Sequence, residues 1–115
     1  MEDQELIQKL DSYSQEELND YLSKHNVSED IIRRYADKVE WKGISWRQRL
    51  SESFIREFND RVHWSGISWS QKLSEPFIRE FADRVNWDNI SEYQTLSESF
   101  IREFSDRVNW ERISC

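Results

Sequence analysis

Four tryptophans, Trp41, Trp64, Trp87 and Trp110, stand 23 residues apart. The same step carries Ile44, Ile67, Ile90 and Ile113, each followed by Ser, and also Val39, Val62, Val85 and Val108 and Asp37, Asp60, Asp83 and Asp106. A chain that rewrites the same positions at so short an interval is constrained to a stack of small supersecondary units. None of these is large enough to bury an apolar face alone, so each must bury it against its neighbour. The copies run 27–49, 50–72, 73–95 and 96–115. Their clearest wording is LSESFIREF at 50–58, LSEPFIREF from Leu73 and LSESFIREF from Leu96; in the first copy the degenerate string from Val27 to Tyr35 takes that place.

The spacing within a copy predicts two short helices of roughly 8–12 residues, too short to persist unsupported. Ser51, Ser74 and Ser97 are N-caps, each followed by a Glu suited to the positive end of the helix dipole. Leu50 and Ile55 have hydrophobic-staple spacing, repeated as Leu73/Ile78 and Leu96/Ile101. Pro76 falls in a first turn, where its missing N–H costs little. Phe54, Ile55, Phe58 and Val62 line one helical face. On the other face Glu52–Arg56, Arg56–Asp60 and Glu57–Arg61 have the spacing of intrahelical ion pairs. The second helix is expected to start after Asn86 or Asn109, with Glu40 and His63 at the same position in earlier copies. Gly43 and Gly66 share a position that later takes Asn89 and Arg112, which predicts an exposed site. The four periodic Trp are expected in the core, and the Arg56/Arg79/Arg102 and Glu57/Glu80/Glu103 rows on a solvated, ion-paired face.

Residues 1–26 fit the period poorly. They hold seven Asp/Glu against two Lys, a net of −5, whereas 27–115 hold sixteen against fourteen, a net of −2. Glu5, Leu6, Ile7 and Leu10 predict one helix, and Ser14-Gln15-Glu16-Glu17 is a capping-box start for a second that ends near His25 or Asn26. With only two Gly and one Pro, a turn-rich β fold is disfavoured. The expected fold is therefore all-α: 23-residue helix-turn-helix units stacked as a small solenoid behind an acidic N-terminal cap.

The unit L-S-E-x-F-I-R-E-F-x-D-R-V-N-W-x-x-I-S resembles a short tandem helical repeat. Such repeats occur in uncharacterised proteins of large DNA viruses, phages and bacterial mobile elements. The resemblance covers 27–115 and is clearest from Leu50 onward. It implies a helical repeat array of viral or phage origin, and it brings no catalytic residues with it.

Chemistry of an enzymatic kind finds little support. His25 and His63 are far apart in the chain and Cys115 is terminal, so a closed metal site is disfavoured. His63 is replaced by Asn86 and Asn109 in later copies, which preserves a cap but not a base. No Gly-rich phosphate loop and no cofactor motif occur. The nearly balanced body and acidic terminus argue against direct nucleic-acid binding. No apolar run is long enough to span a membrane. A single Cys with no signal peptide fits an intracellular setting, the host cytoplasm if the origin is viral.

What remains is a non-enzymatic module that binds another protein. Its candidate surface lies where the copies disagree: Trp46, Arg47, Trp69, Ser70, Glu92 and Tyr93. Arg47, Arg49 and Lys72 are cations suited to stacking on the two non-periodic indoles. A second possibility is an antagonist of a host defence complex, in which the acidic cap residues Glu2, Asp3, Glu5, Asp11, Glu16, Glu17 and Asp20 cover a basic channel. A third is self-assembly, with a homodimer formed through the C-terminal end, where the last copy leaves part of its seam uncovered.

Overall fold

A computed structural model describes residues 3–113, and every regular element among them is an α-helix. The order is α1 (Asp3–Asp11), α2 (Gln15–Lys24), α3 (Glu29–Arg34), α4 (Trp41–Arg47), α5 (Glu52–Glu57), α6 (Trp64–Ser70), α7 (Glu75–Glu80), α8 (Trp87–Tyr93) and α9 (Glu98–Glu103). The chain divides after Val62 into two compact units. The first holds α1–α5, the second α6–α9. The division falls inside the second repeat, and each unit contains its own repeat-on-repeat packing. The all-α tandem-repeat fold with a helical N-terminal cap is thus the observed one.

Local chemistry starts several helices where the sequence places them. Ser14 and Glu17 form a capping box on α2, and His25 closes that helix. Ser28, Ser51, Ser74 and Ser97 each accept from the backbone N–H three residues on. Pro76 sits in the first turn of α7. The staple residues Leu50, Ile55, Leu73 and Ile78 are buried, whereas Leu96 and Ile101 of the last copy are half-buried.

The helices are shorter than expected, six or seven residues in each repeat. At Phe58 the backbone leaves helical geometry (φ −111°, ψ 32°). A tight turn follows, in which Arg61 N–H and Val62 N–H both donate to the Phe58 carbonyl at 2.9 and 3.0 Å. That turn buries Val62 and delivers the chain to α6. It also redirects the charges. Asp60 and Arg61 lie beyond the helix, so the expected Glu57–Arg61 pair does not form. Arg61 instead meets Asp37 at 2.8 Å and the Ala36 carbonyl at 3.0 Å, while Glu57 takes both prongs of Arg33 at 2.9 Å. The second unit repeats the scheme: Arg79 is bidentate to Glu103 at 2.9 Å, and Arg107 meets Asp83 at 3.0 Å.

The periodic Trp are half-buried rather than central. Trp41 Nε1–H donates to the Ala36 carbonyl at 3.0 Å and Trp87 Nε1–H to the Ala82 carbonyl at 2.9 Å. This bond, five residues back, aims each ring at the following repeat. Trp41 lies 6.2 and 5.1 Å from the Phe54 and Phe58 rings, Trp64 6.3 and 5.1 Å from Phe77 and Phe81, and Trp87 6.3 and 5.0 Å from Phe100 and Phe104. Trp110 departs from the expected core placement and is 60% exposed. Among the described residues no second helix follows Asn109; residues 110–112 form a turn.

Three polar positions repeat with the Trp and close the joints. Gln48 Nε2 donates to the Leu22 and His25 carbonyls at 2.6 and 2.8 Å, and its Oε1 accepts from Val27 N–H at 3.1 Å. Gln94 does the same with the Ser68 and Gln71 carbonyls (3.1 and 2.7 Å) and Leu73 N–H (3.0 Å). The Ser after each periodic Ile also has a structural role: Ser68 and Ser91 accept from the cap N–H of Asn86 and Asn109 at 3.0 and 2.8 Å. Glu29 and Glu75 each accept from both the N–H and the hydroxyl of the next repeat's cap Ser, at 2.5 and 2.9 Å. Gly66 is buried, contrary to its expected exposure, because α8 packs on α6 there; Asn89 Nδ2 donates to the Ser65 carbonyl at 3.0 Å.

Two outcomes follow from these joints. Gln94→Leu strands two carbonyls and one N–H, and each orphaned buried group costs about 1–3 kcal/mol. Urea unfolding should therefore show a loss of about 2–4 kcal/mol. Gln94→Glu should lose a comparable amount at neutral pH, because a carboxylate cannot donate to the two carbonyls. Wild-type midpoints for both variants would refute the joint. The second outcome concerns pH. The Arg79 guanidinium holds the Glu103 carboxyl below its ordinary range, and Arg33 does the same to Glu57. A depressed carboxyl contributes stability above its unfolded-state pKa and loses it as pH falls through the folded value. In an NMR titration Arg79→Gln should move the Glu103 midpoint upward and leave Glu57 in place.

Candidate protein-docking groove

One exposed aromatic surface of the second unit is built where its repeats depart from one another. Trp69 stands on the last turn of α6 and Tyr93 ends α8. These two helices pack side by side, so residues at their C-terminal ends are brought together. The rings meet edge to face, with centroids 5.5 Å apart at 75°. They remain 42% and 49% exposed. A polar tip on Tyr and an indole N–H on Trp make both rings serviceable at a wet surface.

A surface groove of about 330 Å³ runs beside the pair. Ser70, Lys72 and Thr95 line it as exposed residues, with Gln71 and Leu73 buried below them. Its shape is held by Gln94, which ties the Ser68 and Gln71 carbonyls and the Leu73 N–H into one cluster. Ser70 Oγ donates to the Gly66 carbonyl at 2.9 Å, keeping the α6 end helical. The groove therefore offers two aromatic edges and an ammonium group above a base of Gln71 and Leu73, an arrangement that can hold a side chain.

Of the residues expected at a binding surface, Trp69, Ser70 and Tyr93 come together here. Glu92 is exposed but turned to Arg112, which it meets at 2.9 Å. Trp46, in the first unit, is half-buried. Arg47 ends α4 and donates to the Ser23 carbonyl at 3.2 Å, which makes it part of the joint between the cap and the first repeat. Lys72 and Thr95 occupy one repeat position and differ in kind, a departure from the period that marks them as groove residues. The Gln series at 48, 71 and 94 keeps the 23-residue step and is the signal that would have located the groove's support.

The acidic cap is largely committed to the fold. Asp3 accepts from Ser28 Oγ at 2.9 Å and Glu17 from Ser14 N–H at 2.9 Å, while Asp20 pairs with Lys24 at 3.3 Å. Asp11 takes Arg34 at 2.9 Å and the Tyr35 hydroxyl at 2.5 Å. Those bonds, Arg34's first, hold its carboxyl below the usual range. Glu5 and Glu16 are exposed, and Glu2 lies outside the described residues. His25 stacks on Tyr21 at 4.1 Å, a packing role. His63 occupies the N-cap of α6 without making a side-chain capping bond. Among the described residues no group of three or more His, Asp or Glu is placed to hold a metal ion, and no helix is long and apolar enough to cross a membrane. Comparison with protein-family models, curated proteins and solved structures returns no match.

Proposed function

We propose that this chain is a non-enzymatic module that binds another protein, and that the groove beside Trp69 and Tyr93 receives the partner. The observation that carries this is the pair of large rings left exposed at the rim of a groove whose other walls are held by hydrogen bonds. Binding energy at protein interfaces concentrates on a few aromatic anchors in pre-formed, partly desolvated pockets. A rigid pair loses little conformational entropy when it is covered. The partner feature that suits the groove is an apolar or aromatic side chain seated against the two rings, with a carboxylate within reach of Lys72.

The resemblance of the repeat unit to those of large DNA viruses and phages extends the proposal to a viral or phage protein acting inside the host cell. Antagonism of a host defence complex through the acidic cap has weaker support. Asp11 and Asp20 are paired with Arg34 and Lys24, which offsets two of the cap's negative charges.

The test separates binding from folding. A photo-crosslinking side chain at Thr95 should capture a partner from host lysate. Capture should fall about 30-fold in Trp69→Ala/Tyr93→Ala, the effect of losing one strong hot spot of about 2 kcal/mol. The double variant should keep its helical circular dichroism and unfold in urea within about 1 kcal/mol of wild type, because both rings are half in solvent. Equal capture by wild type and variant would remove the groove from the account.

A further inference from the structure

A second surface, independent of the Trp69 groove, is defined by what the repeats do to one another. Within the first unit, the first repeat presents five features to α5 and the turn after it. Glu29 accepts the cap Ser51, Arg33 grips Glu57, the Ala36 carbonyl and Asp37 take Arg61, and Trp41 covers Phe54 and Phe58. Within the second unit, the third repeat presents the same five to the fourth. Glu75 takes Ser97, Arg79 takes Glu103, the Ala82 carbonyl and Asp83 take Arg107, and Trp87 covers Phe100 and Phe104. Corresponding distances in the two units agree closely: 2.5 and 2.5 Å at the cap, 2.9 and 2.9 Å at the Arg–Glu pair, 5.1 and 5.0 Å between Trp and the second Phe.

The last repeat carries this set again, at Glu98, Arg102, the Ser105 carbonyl, Asp106 and Trp110, and no described segment engages it. Trp110 already holds the docking pose. Its Nε1–H donates to the Ser105 carbonyl at 3.0 Å, as Trp41 and Trp87 do to Ala36 and Ala82, yet its ring is 60% exposed. Glu98 and Arg102 meet each other at 3.0 Å, with side chains 84% and 78% exposed. An ion pair that open is held weakly and exchanges readily for outside partners. Asp106 is exposed at the position where Asp37 and Asp83 each hold an Arg.

We propose that this face is a preformed seat for one more helical segment of the chain's own repeat chemistry, reading Ser-x-x-Phe-x-x-Glu-Phe-x-x-Arg. The Ser caps onto Glu98, the Glu draws Arg102 away from Glu98, the Arg reaches Asp106 and the Ser105 carbonyl, and the two Phe slide under Trp110. The seat thus continues an interface that the chain builds in both of its units, with the same complementary charges. A folded second copy does not supply the occupant, because its Phe pairs are already covered by Trp41, Trp64 and Trp87. The occupant is a helical segment of this repeat chemistry whose own Phe pair is uncovered.

The probe is a peptide with the sequence of residues 96–113, titrated into the full chain while the Trp110 indole N–H is followed by NMR. Saturable one-to-one binding is expected, with the shifts centred on Trp110, Arg102 and Asp106. Trp110→Ala should weaken it about tenfold or more, as loss of a Trp anchor does, and a peptide with Ala at both Phe positions should not bind. A free peptide of this length is poorly helical, so a second measurement removes that weakness. A copy of residues 93–113 appended after residue 115 keeps the 23-residue register, and should shield Trp110 from acrylamide quenching and raise the urea midpoint. The proposal fails if the peptide does not bind at millimolar concentration and the appended copy leaves Trp110 as accessible as before. It also fails if sedimentation shows that two folded chains pair through Trp110, which would make a second copy the occupant.

Discussion

Each repeat leans on the next through one indole laid across a Phe pair. The rest of the structure depends on that contact, because the helices are only six or seven residues long and a helix of that length has no independent stability in water. Phe54 and Phe58, or their counterparts, are four apart. They stand one above the other at the end of a short helix, and the ring above them belongs to the preceding repeat. The indole N–H is tied to a carbonyl five residues back in its own chain, so the ring is oriented before the next repeat meets it. The geometry also explains why the Trp remain half-exposed: each roofs the Phe pair from the side instead of lying inside a core.

Around this contact the polar groups answer needs created by short helices. Frequent helix ends mean many free backbone N–H and C=O groups. The repeat supplies a partner for them from the neighbouring copy. Gln48 and Gln94 bridge an outgoing helix end and the next incoming strand of chain, Ser68 and Ser91 accept cap N–H groups, and Glu29 and Glu75 accept cap Ser groups. Among the described residues no buried side-chain nitrogen or oxygen lacks a hydrogen-bond partner. Such a joint is specific because its two halves are incomplete apart. This is also why the last copy shows an open, ordered set of acceptors and donors.

Local features were legible in the sequence and non-local ones were partly misread, for physical reasons. Ser14 with Glu17 and the Ser caps at 51, 74 and 97 act over three residues, so spacing alone locates them. The Arg–Glu rows were recognisable as an ion-paired face. Pairing at four residues holds for Glu98–Arg102 within α9, but it fails for Glu57–Arg61 because α5 ends at Glu57. Arg112 stands at the position of Gly66, but among the described residues no further helix packs on Arg112 as α8 packs on α6. Burial in an array depends on which copy a residue belongs to. The same holds for Trp110 against Trp41 and Trp87. Trp69 and Tyr93 both break the period, and the fold brings their rings together beside the groove. Trp46 breaks it too and is half-buried, while Glu92 is drawn to Arg112. The Gln series is not visible to apolar periodicity, because its amides are polar groups set into the joints.

The central claim is that the Trp-on-Phe contact couples one repeat to the next, and a double-mutant cycle on Trp87 and Phe104 tests it most directly. Urea unfolding of Trp87→Ala, Phe104→Ala and the double variant yields their coupling energy. Aromatic pairs contribute about 0.5–1.5 kcal/mol beyond simple burial, and contacting residues couple by about 0.5–3 kcal/mol. The account predicts a coupling of about 1 kcal/mol or more. Additive losses, with coupling near zero, would contradict it.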